Sequence, residues 1–143
     1  MIKIREYNIH RFLKAQENDY EIALSEIKKG RKRSHWIWYV FPHFKEFAHS
    51  RTAEYYGIAD KGEAEIYLQH PILGQRIREI SEVLLLHTGK DVKEIFGELD
   101  AGKVRSCMTM FDYLSPNDVF GQVLDVFYGG KRGGRTLKVL NGV

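Results

Sequence analysis

The sequence predicts an all-α protein, and three observations predict it. Apolar residues recur at steps of three and four through most of the chain, the period of a helix face. The segments so marked begin at Ser, Asp or Asn and stop at Gly, which is helix punctuation. The one run that could form a strand, Trp36 to Phe41, has no second strand to pair with. The helices are uneven in length, so the expectation is one compact domain over residues 1–143 with about seven to nine helices and no symmetrical bundle.

Residues 8 to 29 are expected to be mostly helical. Asn8 caps a first helix with Ile9, Phe12 and Leu13 on its inner face and Arg11 and Lys14 outward. The polar run Gln16-Glu17-Asn18-Asp19 is expected to break it. Asp19 then caps a second helix with the stripe Tyr20, Ala23, Leu24 and Ile27, stopped at Gly30. From Trp36 to Phe41 every position is apolar, and a short buried helix or turn ended by Pro42 fits best. Ser50 caps a short helix that ends at Gly57. Asp60 and Glu63 form a capping-box pattern for a helix through Tyr67 and Leu68. Pro71 opens the clearest helix, with Leu73, Ile77, Ile80 and Leu84 facing inward and Arg78 and Glu82 outside. A short helix follows over residues 92 to 96. Another opens at Asp100-Ala101-Gly102 with the buried stripe Val104, Cys107, Met108 and Phe111. Ser115-Pro116-Asn117-Asp118 starts a helix carrying Val119, Phe120, Val123, Leu124 and Phe127. Gly129 to Gly134 is a glycine loop, and residues 136 to 140 give a last helical turn.

The chain has 143 residues, 43% hydrophobic and 29% charged, ordinary values for a globular domain and unlike a disordered one. It can bury a core without a disulfide or metal. Cys107 is the only cysteine, which excludes an internal disulfide and a thiolate zinc cluster. A reducing cytoplasm fits this. Met1 to Glu6 carries no signal-peptide core, and the longest apolar run is too short to span a bilayer. Net charge is +3, so nucleic acid is permitted but not required.

The densest window of charge and aromatic surface is Gly30-Arg31-Lys32-Arg33-Ser34-His35-Trp36-Ile37-Trp38-Tyr39-Val40-Phe41-Pro42. Arginine forks pair with phosphate, and indole faces stack on purines. A histidine side chain can take up and give back a proton. Arg31, Arg33, Ser34, Trp36 and Trp38 are therefore candidate ligand-binding residues, with His35 a candidate acid or base. The bland alternative is a core of Trp36, Phe41 and Pro42 beside a solvated basic run. A second candidate is the loop Gly129-Gly130-Lys131-Arg132-Gly133-Gly134-Arg135-Thr136, where glycines let backbone N–H groups approach an anion. Gly129, Gly130, Arg135 and Thr136 are its candidate ligand-binding residues. It is not a P-loop, since it follows no strand and too little chain remains after it. A plain helix-ending loop is the bland reading. Among the scattered acids and histidines (Glu54, His43, His49 and His70 included) only Asp112 stands out, a carboxylate beside a buried stripe and a candidate catalytic acid or base. Glu46-x-x-His49 is a single copy of a spacing that a helical metal site needs twice, so no metal or other cofactor is expected. Cys107 reads as an inert buried thiol, and Ser106 and Thr109 as ordinary helix hydroxyls.

Several of these pieces carry a resemblance. Arg11-Phe12-Leu13-x-Ala15-Gln16, the run Gly30-Arg31-Lys32-x-Ser34-His35-Trp36-x-Trp38-x-x-Phe41-Pro42, and Tyr67-Leu68-x-His70-Pro71-x-Leu73-Gly74 come in order. Lys103-x-Arg105-Ser106-x-Met108-Thr109-x-Phe111 and Phe127-Tyr128-Gly129-Gly130, with Arg135-Thr136-Leu137, complete the set. In this order the chain resembles the bacterial domain-of-unknown-function family DUF1810 over nearly its whole length. The resemblance implies a mainly helical single domain and no established activity. The label calpastatin, sometimes given to members, finds no support, because calpastatin segments are disordered and this chain is rich in core residues. Relatives tend to carry an acid shortly before the Arg-Thr-Leu, whereas Gly133-Gly134 stands here. The layout also resembles that of NADAR proteins, tied to NAD and ADP-ribose derivatives, through Lys32, Ser34, His35 and Trp36, then Tyr128, Gly129, Gly130, Arg135 and Leu137. A key glutamate of that family has no counterpart beside His35, so its glycosidase chemistry does not carry over.

Three functions follow as alternatives. The first is a pocket for a phosphorylated nucleotide of the ADP-ribose or NAD type, with any catalysis at a glycosidic bond falling to His35 and Asp112. The second is a structural or protein-interaction module without a ligand. The third is single-stranded nucleic-acid binding, against which the small net charge weighs. The discriminating geometry is whether the loop from Gly129 to Arg135 packs against His35 and Trp36.

Overall fold

The computed structural model describes residues 7–142. Met1 to Glu6, considered above for a signal segment, and Val143 lie outside them. Nine α-helices are described: α1 His10–Lys28, α2 Ile37–Val40, α3 Arg51–Tyr56, α4 Lys61–Gln69, α5 Leu73–Leu84, α6 Val92–Phe96, α7 Glu98–Leu114, α8 Val119–Tyr128 and α9 Gly134–Leu140. Short 3₁₀ turns cover Lys45–Phe47 and Leu85–His87. An isolated bridge, Phe44 to Ile58, is the only β pairing among the described residues. The all-α expectation is met.

The core is built around α7. Its stripe of Val104, Cys107, Met108 and Phe111 is fully enclosed, and α4, α6, α8 and α9 pack on it. Aromatic rings run through the molecule from helix to helix. Phe12 of α1 meets Tyr67 of α4 edge-on at 5.0 Å, Tyr67 stacks on Phe111 at 5.5 Å, and Phe111 meets Phe120 of α8 at 5.5 Å. Such pairs add to the burial of their large apolar areas. Burial pushes the Cys107 thiol well above its ordinary value, consistent with the inert thiol expected.

Local signals place several helices where expected. Ser50, Asp60 and Asp91 each accept a backbone N–H in the first turn of α3, α4 and α6. Four expectations are corrected. First, α1 is one continuous helix of 19 residues. Gln16 does not break it, because its side chain is buried and donates to Tyr39 O at 2.7 Å and Tyr67 Oη at 3.1 Å. Asp19 accepts the Tyr39 hydroxyl instead of capping a helix, and Asn8 offers α1 no side-chain cap. Second, Arg11 points inward. Its guanidinium meets Glu63 at 2.7 and 3.2 Å and donates to Tyr55 O and Gly57 O, tying the start of α1 to the end of α3 and the start of α4. Third, Glu63 does not reach back to the N-cap as a capping box would. It accepts from Ala59 N at 2.7 Å. Fourth, α8 starts at Val119 with Asp118 as its cap, and Ser115 donates to Asp118 at 2.8 Å. Arg78 pairs with that same Asp118 at 3.0 Å rather than with a neighbour on its own helix.

Candidate functional site

The outer face of α7 carries Gly102, Lys103, Arg105 and Ser106 between its buried positions. Two other parts of the chain close over this face. The first is the glycine loop and α9. Gly129 and Gly130, with φ of +61° and +76°, turn the chain out of α8, and Gly130 N donates to Leu124 O at 2.9 Å, which caps the helix end. Arg132 then locks the loop through Asp112 at 3.2 Å, Asp125 at 3.5 Å and Gly130 O at 2.9 Å. Gly133 N donates to Thr109 Oγ1 at 2.9 Å while Thr109 donates to Arg105 O at 2.8 Å, so this hydroxyl pins α9 against α7. The second part is the segment from His43 to His49. Ile58 N donates to His43 O at 2.9 Å and Lys45 N donates to Ile58 O at 2.8 Å, which fixes the backbone from His43 to Lys45 on either side of Phe44. The Arg135 guanidinium lies 4.6 Å from the centre of the Phe47 ring and joins the two parts.

Between these three walls lies a cavity of about 330 Å³. Lys103, Arg105 and Arg135 line it, as do His43, His49, Ser106, Thr136, Phe47 and Leu99. No Asp or Glu does. Lys103 has a carboxylate partner in Asp100 at 3.3 Å, which it shares with Lys32. Arg105 and Arg135 have none among the described residues. Two buried polar atoms without a hydrogen-bond partner, His43 Nδ1 and Thr136 Oγ1, belong to residues of this wall. Burial first, then the charges of Lys103, Arg135 and His49, lower the His43 imidazole to a pKa of about 4, so it is neutral at physiological pH. Leu99 is 83% exposed and gives the rim an apolar edge.

The residues singled out in the sequence are divided among separate surfaces. Arg135 and Thr136 line the cavity. Trp38 does not line it, though the Lys103 ammonium lies 5.9 Å from the Trp38 ring centre and His35 stacks on that ring at 6.5 Å. Arg31 and Arg33 face a different hollow, beside Glu21, Ile22 and Lys29. Trp36 is 1% exposed, and its indole N–H donates to Glu26 at 2.9 Å, so its faces are taken up by the core. Ser34 donates to the same carboxylate at 2.6 Å. Asp112 is paired with Arg132 and faces a third hollow. Gly129 and Gly130 serve the helix end and do not line the cavity. The loop therefore does not meet Trp36 in a shared cavity.

The cavity residues given no role from sequence are His43, Phe47, His49, Lys103, Arg105 and Ser106. Lys103, Arg105 and Ser106 stood in the family motif, but two cations on a helix look like a solvated face. His43 carried no spacing signal, and His49 only the single Glu46-x-x-His49 spacing read above as too little for a metal site. Among the described residues no group of three or more His, Cys, Asp or Glu could hold a metal ion, and no helix is long and apolar enough to cross a membrane.

Residues 6–140 match the family model described as "Protein of unknown function (DUF1810)", and the chain belongs to that family. It is also similar to the conserved hypothetical protein Rv1873 from Mycobacterium tuberculosis, known from a crystal structure. The two are 38% identical with a TM-score of 0.91, over 94% of this chain and 97% of the other. No curated protein matches the chain.

Proposed function

We propose that this DUF1810 protein binds a phosphorylated nucleotide of the ADP-ribose or NAD type in the cavity between α7, α9 and the segment from His43 to His49. The observation that carries the reading is the composition of the wall. Three cations line one cavity, two of them lack a carboxylate partner, and no acid faces it. Unpaired guanidinium groups gathered on one concave surface repel one another, and an anion relieves that repulsion. Arg105 and Arg135 stand on different walls and can each grip a phosphate oxygen pair. Ser106 and Thr136 add hydroxyls, and Phe47 and Leu99 supply an apolar side for a base or ribose. The volume is at the lower end for ligand cavities, enough for the phosphates and one ring system with the remainder lying over the rim. Trp38 and His35 stand beside Lys103 to receive that remainder. The choice of ADP-ribose and NAD within phosphorylated ligands rests on the resemblance to NADAR proteins.

Binding is better supported than cleavage. Hydrolysis of a glycosidic bond ordinarily uses a pair of carboxylates, and none lines this cavity. Asp112 is held by Arg132 elsewhere, and His35 stacks on Trp38 and does not line the cavity. Titration calorimetry with ADP-ribose, NAD and AMP tests the reading. At least one binds, and Arg105→Ala and Arg135→Ala each weaken it about ten- to a hundredfold, the usual effect of losing a charged hydrogen bond. Silence with all three ligands, or unchanged affinity in both variants, removes the reading.

A further inference from the structure

We propose that His43 contacts the bound ligand as a neutral hydrogen-bond donor, through Nε2–H to an anionic phosphate oxygen, and helps select such ligands for this cavity. The inference rests on the ligand reading above and adds a residue that neither the sequence window nor the glycine loop contains.

The ring is held in place before any ligand arrives. The His43 carbonyl accepts from Ile58 N, and the imidazole packs edge-on against Phe47 at 5.8 Å. Yet neither ring nitrogen has a hydrogen-bond partner among the described residues. Nδ1 is enclosed and unpaired, while Nε2 is unpaired and not enclosed, in a residue that lines the cavity. Buried polar groups without partners are uncommon in native proteins and call for an explanation. A ligand seated against the ring supplies one for Nε2.

Burial and the bound anion together decide which nitrogen carries the proton. Lys103 and Arg105 face the cavity from α7, Arg135 from α9 and His49 from the segment after the 3₁₀ turn, and no carboxylate lines it. A proton on the enclosed Nδ1 would be an orphaned buried donor, the rarer and costlier state than an unused lone pair. A phosphate drawn in by the cations brings negative charge to the open side, so in the complex the proton sits on Nε2. Without a carboxylate to orient it, as the base of a catalytic triad has, His43 is poorly placed to take a proton from a nucleophile. It is well placed to give a hydrogen bond to an anion. The lowered pKa agrees, because a group already neutral keeps this donor across the physiological range.

Calorimetry with ADP-ribose on the full chain tests this, using wild type, His43→Gln and His43→Leu. Glutamine can place an amide N–H near the position of Nε2–H, whereas leucine keeps much of the volume and offers no donor. The Leu variant should bind about tenfold more weakly and the Gln variant within about threefold of wild type, as for one hydrogen bond to a charged group. The ratio of wild-type to Gln-variant affinity should hold steady from about pH 6 to about pH 8, since the pyrophosphate of ADP-ribose keeps its charge there and His49 is common to both proteins. If the Leu variant fails to fold, the Gln variant and the pH profile decide. Wild-type affinity in the Leu variant overturns the proposal. So does an affinity that falls as pH rises through the histidine range in wild type but not in the Gln variant, which would mean an imidazolium contact. If Arg135→Ala loses the ligand while His43→Leu keeps it, only this inference falls. If wild type binds no phosphorylated ligand, it falls together with the function proposed above.

Discussion

Glu26 explains why the sequence from Arg31 to Trp38 is so dense in polar groups. Its carboxylate accepts from Arg33 N at 2.7 Å, Ser34 N at 2.9 Å, Ser34 Oγ at 2.6 Å and Trp36 Nε1 at 2.9 Å. One acid on α1 thus folds the basic segment back and seats the indole in the core. Partial burial alone would raise the Glu26 pKa, but bonds from Ser34, Arg33 and Trp36 outweigh it and hold the pKa at about 2. The folded-state value lies below the ordinary 4.5, so the stabilisation is fully present above that ordinary value and is lost as pH falls towards about 2. Glu26→Gln should cost about 1–3 kcal/mol at neutral pH, because a neutral amide cannot accept as strongly and turns an N–H towards other donors. Urea unfolding at neutral and acid pH checks it: the gap between wild type and variant should shrink steadily on acidification, and a constant gap would count against the account. Glu63 is the harsher case. It is 2% exposed and is the carboxylate partner of the inward-facing Arg11. Removing its charge leaves a buried cation unmatched, so Glu63→Gln should cost about 3–5 kcal/mol in the same experiment.

At the scale of helices, the turn between α4 and α5 turns on Gly74. A Cβ there would lie 2.0 Å from Leu68 O, a backbone atom that cannot step aside like the end of a flexible side chain. Alanine is the better helix former by about 1 kcal/mol, so propensity alone predicts that Gly74→Ala stabilises α5. The close approach should win, with a net loss of about 1–2 kcal/mol, since overpacking commonly costs about 1–3 kcal/mol and this contact, being with backbone, belongs at the upper end. A melting curve decides the sign, and a raised midpoint would show that the two helices part easily. This contrast shows which elements the sequence makes legible. Caps act within four residues, so α3 and α4 begin at the expected Ser50 and Asp60, and α6 covers the expected residues 92 to 96. The continuity of α1 depends on Tyr39 and Tyr67 meeting Gln16, partners 23 and 51 residues away that no local pattern reveals. Arg11 was misplaced for the same reason, its carboxylate being 52 residues distant. The cavity combines both cases. Arg135 and Thr136 were visible because glycines flank them, while His43, Lys103 and Arg105 each look like ordinary surface until three separate segments bring them together.

Over the whole molecule the 22 cations are interspersed with 19 acids, and this separates a nucleotide site from a nucleic-acid track. Lys32 and Lys103 share Asp100, Arg11 faces Glu63, Arg78 faces Asp118, and Arg132 faces Asp112 and Asp125. Arg31 and Arg33 face a hollow that also holds Glu21 and Glu26. With a net charge of only +3, the concentrated positive surface is the cavity wall itself, with Lys103, Arg105 and Arg135. Three cations can displace at most about three counterions, so the logarithm of affinity for single-stranded nucleic acid should fall with the logarithm of salt at a slope no steeper than about −2. A longer strand should gain little over a short one, because the neighbouring hollows each set an acid among their cations. Fluorescence anisotropy with labelled oligonucleotides of increasing length, across a salt series, reads both quantities. A slope that steepens with length would show a track that this mixed charge does not predict, and would favour single-stranded nucleic acid as the ligand. A shallow slope independent of length, with the bound probe displaced by ADP-ribose, places the interaction in the cavity. Arg135→Ala should then flatten the slope by about one counterion and leave the melting temperature of the free protein unchanged, since this exposed guanidinium contacts Phe47 but carries no carboxylate partner whose loss would weaken the fold.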